Sequence, residues 1–288
     1  GNLTDSQDDA KGFYDRSLGA QTHSGTKPYQ LTSATGAAST RDGNLSLAYD
    51  AAGNMSSLAL VRNGPCLPNN ATCSQRFAYD WDEVGRLGRA RRWDQANPGL
   101  ASDPLPQTTP AVELRYPYDA SDGRVLKTAV DASSNERHTA YIFGSLELRG
   151  TTWDGSDFAD TKDTEVAYLF AHGVRLARLH YSEDSLPTLT SGKLHVLLEL
   201  PDHLGSSSIV VDRETGELVE KSSYQAYGNP DSDYRPARWS GFREDYRFTG
   251  KEEDVEVGVQ YFGKRYLAAS LGRWLSPDPL AVHSPGDA

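Results

Sequence analysis

The residues best placed by type and spacing to do chemistry lie near the end of the chain, in YRFTGKEEDVEVGVQYFGKRYLAASLGRWLSPDPL (Tyr246 to Leu280). One carboxylate, Asp278, sits between Pro277 and Pro279. Two guanidiniums, Arg265 and Arg273, precede it among Tyr261, Tyr266 and Trp274. Either arginine can orient a carboxylate or stabilise an oxyanion. The same residues also have plainer uses. Flanking prolines hold a chain extended, so Asp278 can simply order a turn, and each arginine can stack on an aromatic ring.

Other polar groups suggest less. Asp202 and His203 are neighbours in PDHLGS, but adjacent strand residues point to opposite faces, so a structural role is expected. Asp154, Asp157, Asp160 and Asp163 recur three apart in DGSDFADTKD without matching a calcium loop, which reads as a solvated loop. The histidines show no HExxH spacing. GxSxG, Walker and GxGxxG motifs are absent, so ordinary hydrolase, nucleotide and dinucleotide readings lack support and no cofactor is expected. Cys66 and Cys73 sit in GPCLPNNATC, where a local disulfide and two thiols both remain open. Asn2, Asn44, Asn54 and Asn70 each begin an N-x-Ser/Thr tripeptide.

These residues must be positioned by short elements. The 288-residue chain is 37% hydrophobic, with 26 glycines, 15 tyrosines and one methionine. That balance favours short strands and turns over disorder or long helices. A net charge of -11 opposes sequence-independent binding of nucleic acid or anionic lipid. Apolar runs such as HVLLEL are too short to span a bilayer. The basic run GRLGRARRW (85 to 93) reads as a strand with an exposed charged face. Starting at Gly1, the sequence is expected to be an excerpt of a longer protein.

Three segments share one grammar: LSLAYDAAGNMSSL, RFAYDWDEVGRLGRA and LRYPYDASDGRVLKT. Each reads aromatic, Asp, two or three residues, Gly, then Arg or Asn. The aromatics Tyr49, Trp81 and Tyr118 stand 32 and 37 residues apart, and FYDRSLG is a weaker copy. The pattern predicts hairpins. Phe77, Tyr79 and Trp81 share one strand face. The Asp bonds turn amides, and the Gly supplies positive φ. Further hairpins are expected in AYIFGSLELRG, VAYLFAHGVRLARLHY and SSIVVDRETGELVEKSSYQAYG. Stacked copies bury one another's faces in a long sheet.

These units resemble the YD repeats of the RHS family. LPDHLGSSSIVVDRETGELVEKSSYQAYG is similar to that family's DHLGS segment, and the stretch from Tyr246 to Leu280 is similar to its repeat-associated core. Within that family the sequence resembles the C component of bacterial Tc (ABC) toxins or a fused B-C protein. The sequence departs from the pattern with RYLAAS for RYYDP, Ala226 for Pro, and one extra turn residue in YDASDG.

The resemblance implies an all-β fold, a continuous spiral strip of antiparallel hairpins forming part of a hollow shell and closed by a core segment acting as plug. It places the strip in residues 1–190 and the core in 191–288. It implies a secreted or cell-surface protein that encapsulates its own C-terminal toxin domain beside other toxin-complex subunits. It further implies release by aspartyl-type self-cleavage at a bond beyond Ala288, so that any autoproteolytic site is expected to be incomplete here. Such chemistry needs two carboxyls sharing a proton, one polarising the carbonyl and one activating water. The motif match puts Asp278 at the family's catalytic position; Arg265 and Arg273 are its candidate partners by their chemistry, and the second acid is left unassigned. The alternative is a cell-surface adhesion or carbohydrate-binding protein like the teneurin-type YD proteins, with surface glycans as partners.

Overall fold

The structure, a computed structural model, describes residues 5–6, 19–36, 43–62, 74–161, 164–181 and 193–278. Among these residues the protein is all-β, with helical geometry confined to short 3-10 segments at Ala226–Gly228, Ala237–Phe242, Phe248–Gly250 and Ala269–Leu271. The chain forms two compact units. The first is Gly1–Arg115, Val130–Asn135 and Asp254–Ala288, and the second is Tyr116–Ala129 and Glu136–Glu253.

The first unit contains β1 (Asp5–Ser6), β2 (Gly19–His23), β3 (Leu31–Gly36), β4 (Gly43–Tyr49), β5 (Met55–Arg62), β6 (Ser74–Trp81), β7 (Leu87–Asp94) and β8 (Val112–Arg115). Each strand pairs antiparallel with the next. One face buries Leu31, Leu45, Leu47, Leu58, Phe77, Tyr79 and Leu114. Phe77 and Tyr79 lie on that common face with rings 6.4 Å apart and nearly parallel, as alternation requires. The loop after β7 is held from within: buried Arg76 donates to the carbonyls of Leu100, Ala101 and Asp103, and Trp93 donates to Thr108 O at 2.8 Å.

The second unit repeats the plan with β9 (Leu126–Asp131, whose last two residues are counted with the first unit), β10 (Glu136–Phe143), β11 (Leu146–Thr151), β12 (Glu165–Ala171), β13 (Val174–Tyr181), β14 (Leu194–Pro201), β15 (Ser207–Asp212), β16 (Leu218–Tyr224) and β17 (Pro230–Tyr234). From β10 onward each strand is antiparallel to its successor. The β12–β13 turn places His172 and Gly173 at φ 50° and 77°, the mirror-image turn that suits a two-residue hairpin. Leu197, Val210 and Val219 bury against Trp239 and Phe242 of the following 3-10 segment. Beyond it, β18 (Glu252–Asp254) lies at the boundary, and β19 (Val259–Tyr261), β20 (Tyr266–Ala268) and β21 (Arg273–Trp274) form a small antiparallel sheet in the first unit.

One turn template recurs through both units. A first residue donates its N–H to the carbonyl four residues on and accepts from the N–H three residues on. The pairs beginning at Asp50, Asp82, Asp119, Asp131, Asp202, Gln225 and Arg247 all follow this pattern. The fourth residue has positive φ: Gly53, Gly85, Asp122, Ser134, Gly205, Gly228 and Gly250. In the third YD copy this corrects the expectation from the sequence. The extra residue in YDASDG puts Asp122, at φ 63°, in the left-handed position and moves Gly123 one place beyond it. Aspartate tolerates that conformation because its short side chain bonds locally.

The aromatic residue ahead of the turn has an equally regular task. Tyr49 OH donates to Leu31 O at 2.9 Å, Trp81 Nε1 to Met55 O at 2.8 Å, and Tyr224 OH to Ser207 O at 2.8 Å. Each acceptor is the first residue of the preceding strand. The ring thus locks one hairpin to its predecessor, and Trp serves as well as Tyr because both carry a donor.

Candidate functional site

The C-terminal motif builds its site on the first unit's hairpins. After β20 the chain turns through Gly272, at φ 59°, into β21. Leu275 N–H then donates to Tyr266 O at 2.9 Å, and Leu275 O accepts Met55 N–H at 2.7 Å. Pro277 lies over Gly53, where a Cβ would approach Pro277 Cγ to 3.3 Å. The residues LSPD are therefore seated on the YD turn that joins β4 to β5.

The two arginines have different jobs. Arg265 lies over the Trp274 ring, 4.2 Å from its centroid, and its Nη2 is 3.1 Å from Asp278 Oδ2. Stacking and pairing thus occur together in Arg265. Arg273 instead donates to Tyr29 O at 3.1 Å and to His23 Nε2 at 2.7 Å, both at the β2–β3 hairpin. The Asp278 side chain is 45% exposed and so can meet a peptide from solvent. Its partner is a cation, and the pair leaves a second acid unplaced.

The second unit holds a charge network that sequence reasoning missed. In GFREDYRFTG, Glu244 is fully buried; its N–H donates to Glu220 Oε2 at 2.9 Å, and its carboxylate meets Arg178 at 3.3 Å and Arg175 at 3.6 Å. Arg247 pairs with Glu220, donates to Ser222 Oγ at 3.0 Å and approaches Glu253 at 3.3 Å. Arg149 bridges Glu147 at 3.0 Å and Asp245 at 3.1 Å. Arg178 also donates to the carbonyls of Phe242 and Arg243. Glu252 is clasped by Arg124, by Lys127 at 2.7 Å and by Tyr141 OH at 2.8 Å.

Burial and charge set the protonation states here. Burial alone would raise Glu252, but Arg124 and Lys127 bring it down to about 2. Asp245 is likewise held far below the usual range by Arg149 and Arg243 against the effect of burial. Glu199 goes the other way: burial and then the Glu244 charge push it up to about 9. Arg175 is 3.8 Å from Glu199 but does not offset this. It is shared with Glu244 and stacked on Tyr168 and Tyr246, at 4.5 and 4.1 Å. Glu199 is thus a neutral acid beside an ionised one. Both are buried, which suits a structural lock better than an open site.

Asp202 serves its turn: Oδ1 accepts from Leu204 N–H at 2.8 Å and Ser206 N–H at 2.9 Å. Asp154 does the same for Ser156 and Asp157. Asp163, Cys66, Cys73, Asn2 and Asn70 lie outside the described residues. Asn44 is exposed, but Asn54 is only 6% exposed and donates its amide to Asp50, which removes it as a glycan acceptor. In the basic run, Arg89 and Arg91 are tied to Asp80 across the hairpin. Arg92 is buried and reaches Glu256 O, so that strand is not simply a charged outer face.

The chain superposes on the crystal structure of TcdB2-TccC3-Cdc42 with a TM-score of 0.54 and 20% identity, over 90% of this chain and 14% of that one. The fold is that of the TcdB2–TccC3 structures. In sequence, the chain is 30% identical over 263 residues to the toxin subunit YenC1 of Yersinia entomophaga, covering 81% of this chain and 26% of YenC1. It is 29% identical over 171 residues to YenC2 of the same organism, covering 58% of this chain and 17% of YenC2. The chain thus spans about a quarter or less of the curated relatives it matches. No protein-family model matches it. Among the described residues no helix is long and apolar enough to cross a membrane.

Proposed function

We propose that the chain is part of a β-shell that encloses a toxin domain following it in the same protein, and that it acts outside the producing cell with other toxin-complex subunits. The observation that carries this reading is the unbroken succession of antiparallel hairpins within each unit, in a fold shared with TcdB2–TccC3. A strip of this kind satisfies its backbone groups strand by strand and leaves few free edges to aggregate. Residues 1–190 act as strip, and residues 191–288 as closing core. The buried ion pairs of Glu244 with Arg175 and Arg178, and of Glu252 with Arg124 and Lys127, support a closing role, because each joins a core residue to a strip residue.

In this reading Asp278 is one acid of a self-cleaving pair that frees the toxin. Arg265, 3.1 Å away, orients its carboxylate. Arg273 anchors the segment. The test is expression of a chain carried past Ala288 in its own gene, followed on a denaturing gel. A C-terminal fragment should appear, and Asp278→Asn should abolish it. An uncut chain, or a variant cut like the wild type, removes Asp278 from the mechanism.

A further inference from the structure

The contact between Arg273 and His23 constrains its own chemistry. A guanidinium has only N–H donors. At 2.7 Å from Arg273 Nη2, His23 Nε2 must therefore be the acceptor. The imidazole is neutral, with its proton on Nδ1. Protonation would set two N–H donors and two positive charges against each other at hydrogen-bond distance.

The same guanidinium holds the carbonyl of Tyr29, on the far arm of the β2–β3 loop. Two residues beyond Arg273, the Leu275 carbonyl accepts the Met55 N–H, and Pro277 covers Gly53. Arg273 is thus the first anchor of the segment that ends in Asp278, and His23 is the titratable half of that anchor. Arg273 is the charged group facing the imidazole. The nearby Tyr49 phenol is spent on the Leu31 carbonyl, and burial keeps it neutral.

We propose that His23 is a positioning residue: its neutral ring clasps Arg273 and holds Leu275–Asp278 on the β4–β5 turn, and acid opens the clasp. Its effect on cleavage rests on the reading of Asp278 given above; the clasp itself does not. Desolvation and then the Arg273 charge hold His23 below the ordinary imidazole range, so opening falls on the acid side of that range. Above it the segment stays seated.

The Met55 amide reports directly on seating, because its bond is to Leu275 O. Its hydrogen exchange, corrected for intrinsic rate and compared with other β5 amides, is followed from about pH 7.5 to 4.5, a span that brackets imidazole titration. In the wild-type chain, Met55 protection should fall about tenfold as His23 titrates, the effect of losing one hydrogen bond to a charged group. His23→Ala should show the low protection at every pH. His23→Gln, whose side-chain carbonyl also accepts from Arg273, should keep the high protection throughout. Protection that ignores His23 titration in the wild type, or a Gln variant that behaves like the Ala variant, overturns the clasp.

In the chain carried past Ala288, wild-type cleavage should slow through the same pH interval while His23→Gln resists the slowing. If Asp278→Asn abolishes cleavage but His23→Ala leaves its rate unchanged, the positioning role is overturned. If Asp278→Asn itself has no effect, the cleavage reading fails, and Met55 protection still decides the clasp.

Discussion

Arg247 and Glu220 are ion-paired in the interior of the second unit, and both are almost wholly shielded from water. Twenty-seven residues separate them. Glu220 belongs to strand β16 and Arg247 to the FREDYRFTG segment. Removing one charge leaves the other buried and uncompensated, at a cost of about 3–5 kcal/mol. Arg247→Met should therefore lower the urea midpoint strongly. Arg247→Met combined with Glu220→Gln should recover part of the loss. An additive double variant would show that the pair does not act as a unit.

Two glutamates give the second unit opposite pH limbs. Glu252 sits at about 2 in the fold, below its unfolded value of about 4.3. Its contribution is present above the unfolded pKa and is lost as pH falls through the folded one. Glu199 is raised to about 9. The fold keeps its proton while the unfolded chain loses it, so stability declines as pH rises from about 4.3 to 9. Glu199→Gln should therefore raise the melting temperature at pH above neutrality and flatten the alkaline limb. A Gln variant that melts below wild type at alkaline pH would contradict a neutral Glu199.

The hairpins were legible because alternation, Asp and Gly are written locally, and because the aromatic of each YD unit is visible beside them. Four copies of the turn were missed. The geometry needs only a backbone able to turn left-handed at the fourth position, which Ser134, Gly205, Gly228 and Gly250 supply without a preceding Tyr-Asp. The buried network was illegible for a different reason. Arg124 and Glu252 stand 128 residues apart, and nothing in either neighbourhood specifies the other. Arg265 and Asp278 were singled out together, but the separate assignment of Arg273 to His23 depends on a hairpin some 250 residues away.

The turn template predicts unequal effects at chemically similar positions. Gly85 has φ +82° and open space where a Cβ would stand, with no other atom within 4 Å, so Gly85→Ala measures backbone strain alone, about 1–2 kcal/mol. Asp122 occupies the same position at φ 63° in the third copy. Asp122→Gly should be neutral or stabilising by up to about 1 kcal/mol, where strain relief competes with added chain entropy. The denaturant midpoint should fall for Gly85→Ala and hold or rise for Asp122→Gly. A loss at Asp122→Gly as large as that at Gly85→Ala would mean that the Asp122 side chain, not its backbone, holds the turn.

The ring donors make a sharper distinction. Tyr224→Phe keeps the ring and removes only the O–H bonded to Ser207 O, which should cost about 1 kcal/mol plus the desolvation of an orphaned carbonyl. Trp81→Phe should cost at least as much, because it also loses ring area. Trp81→Tyr tests whether a different donor reaches Met55 O. Met55 is also the residue whose N–H holds Leu275. Loss of the Trp81 bond should therefore loosen the seat of Asp278 as well as the hairpin. Hydrogen exchange at the Leu275 amide, bonded to Tyr266 O, should quicken in Trp81→Phe and not in Tyr224→Phe, which lies in the other unit. Equal quickening in both variants would point to general destabilisation and not to a link through Met55.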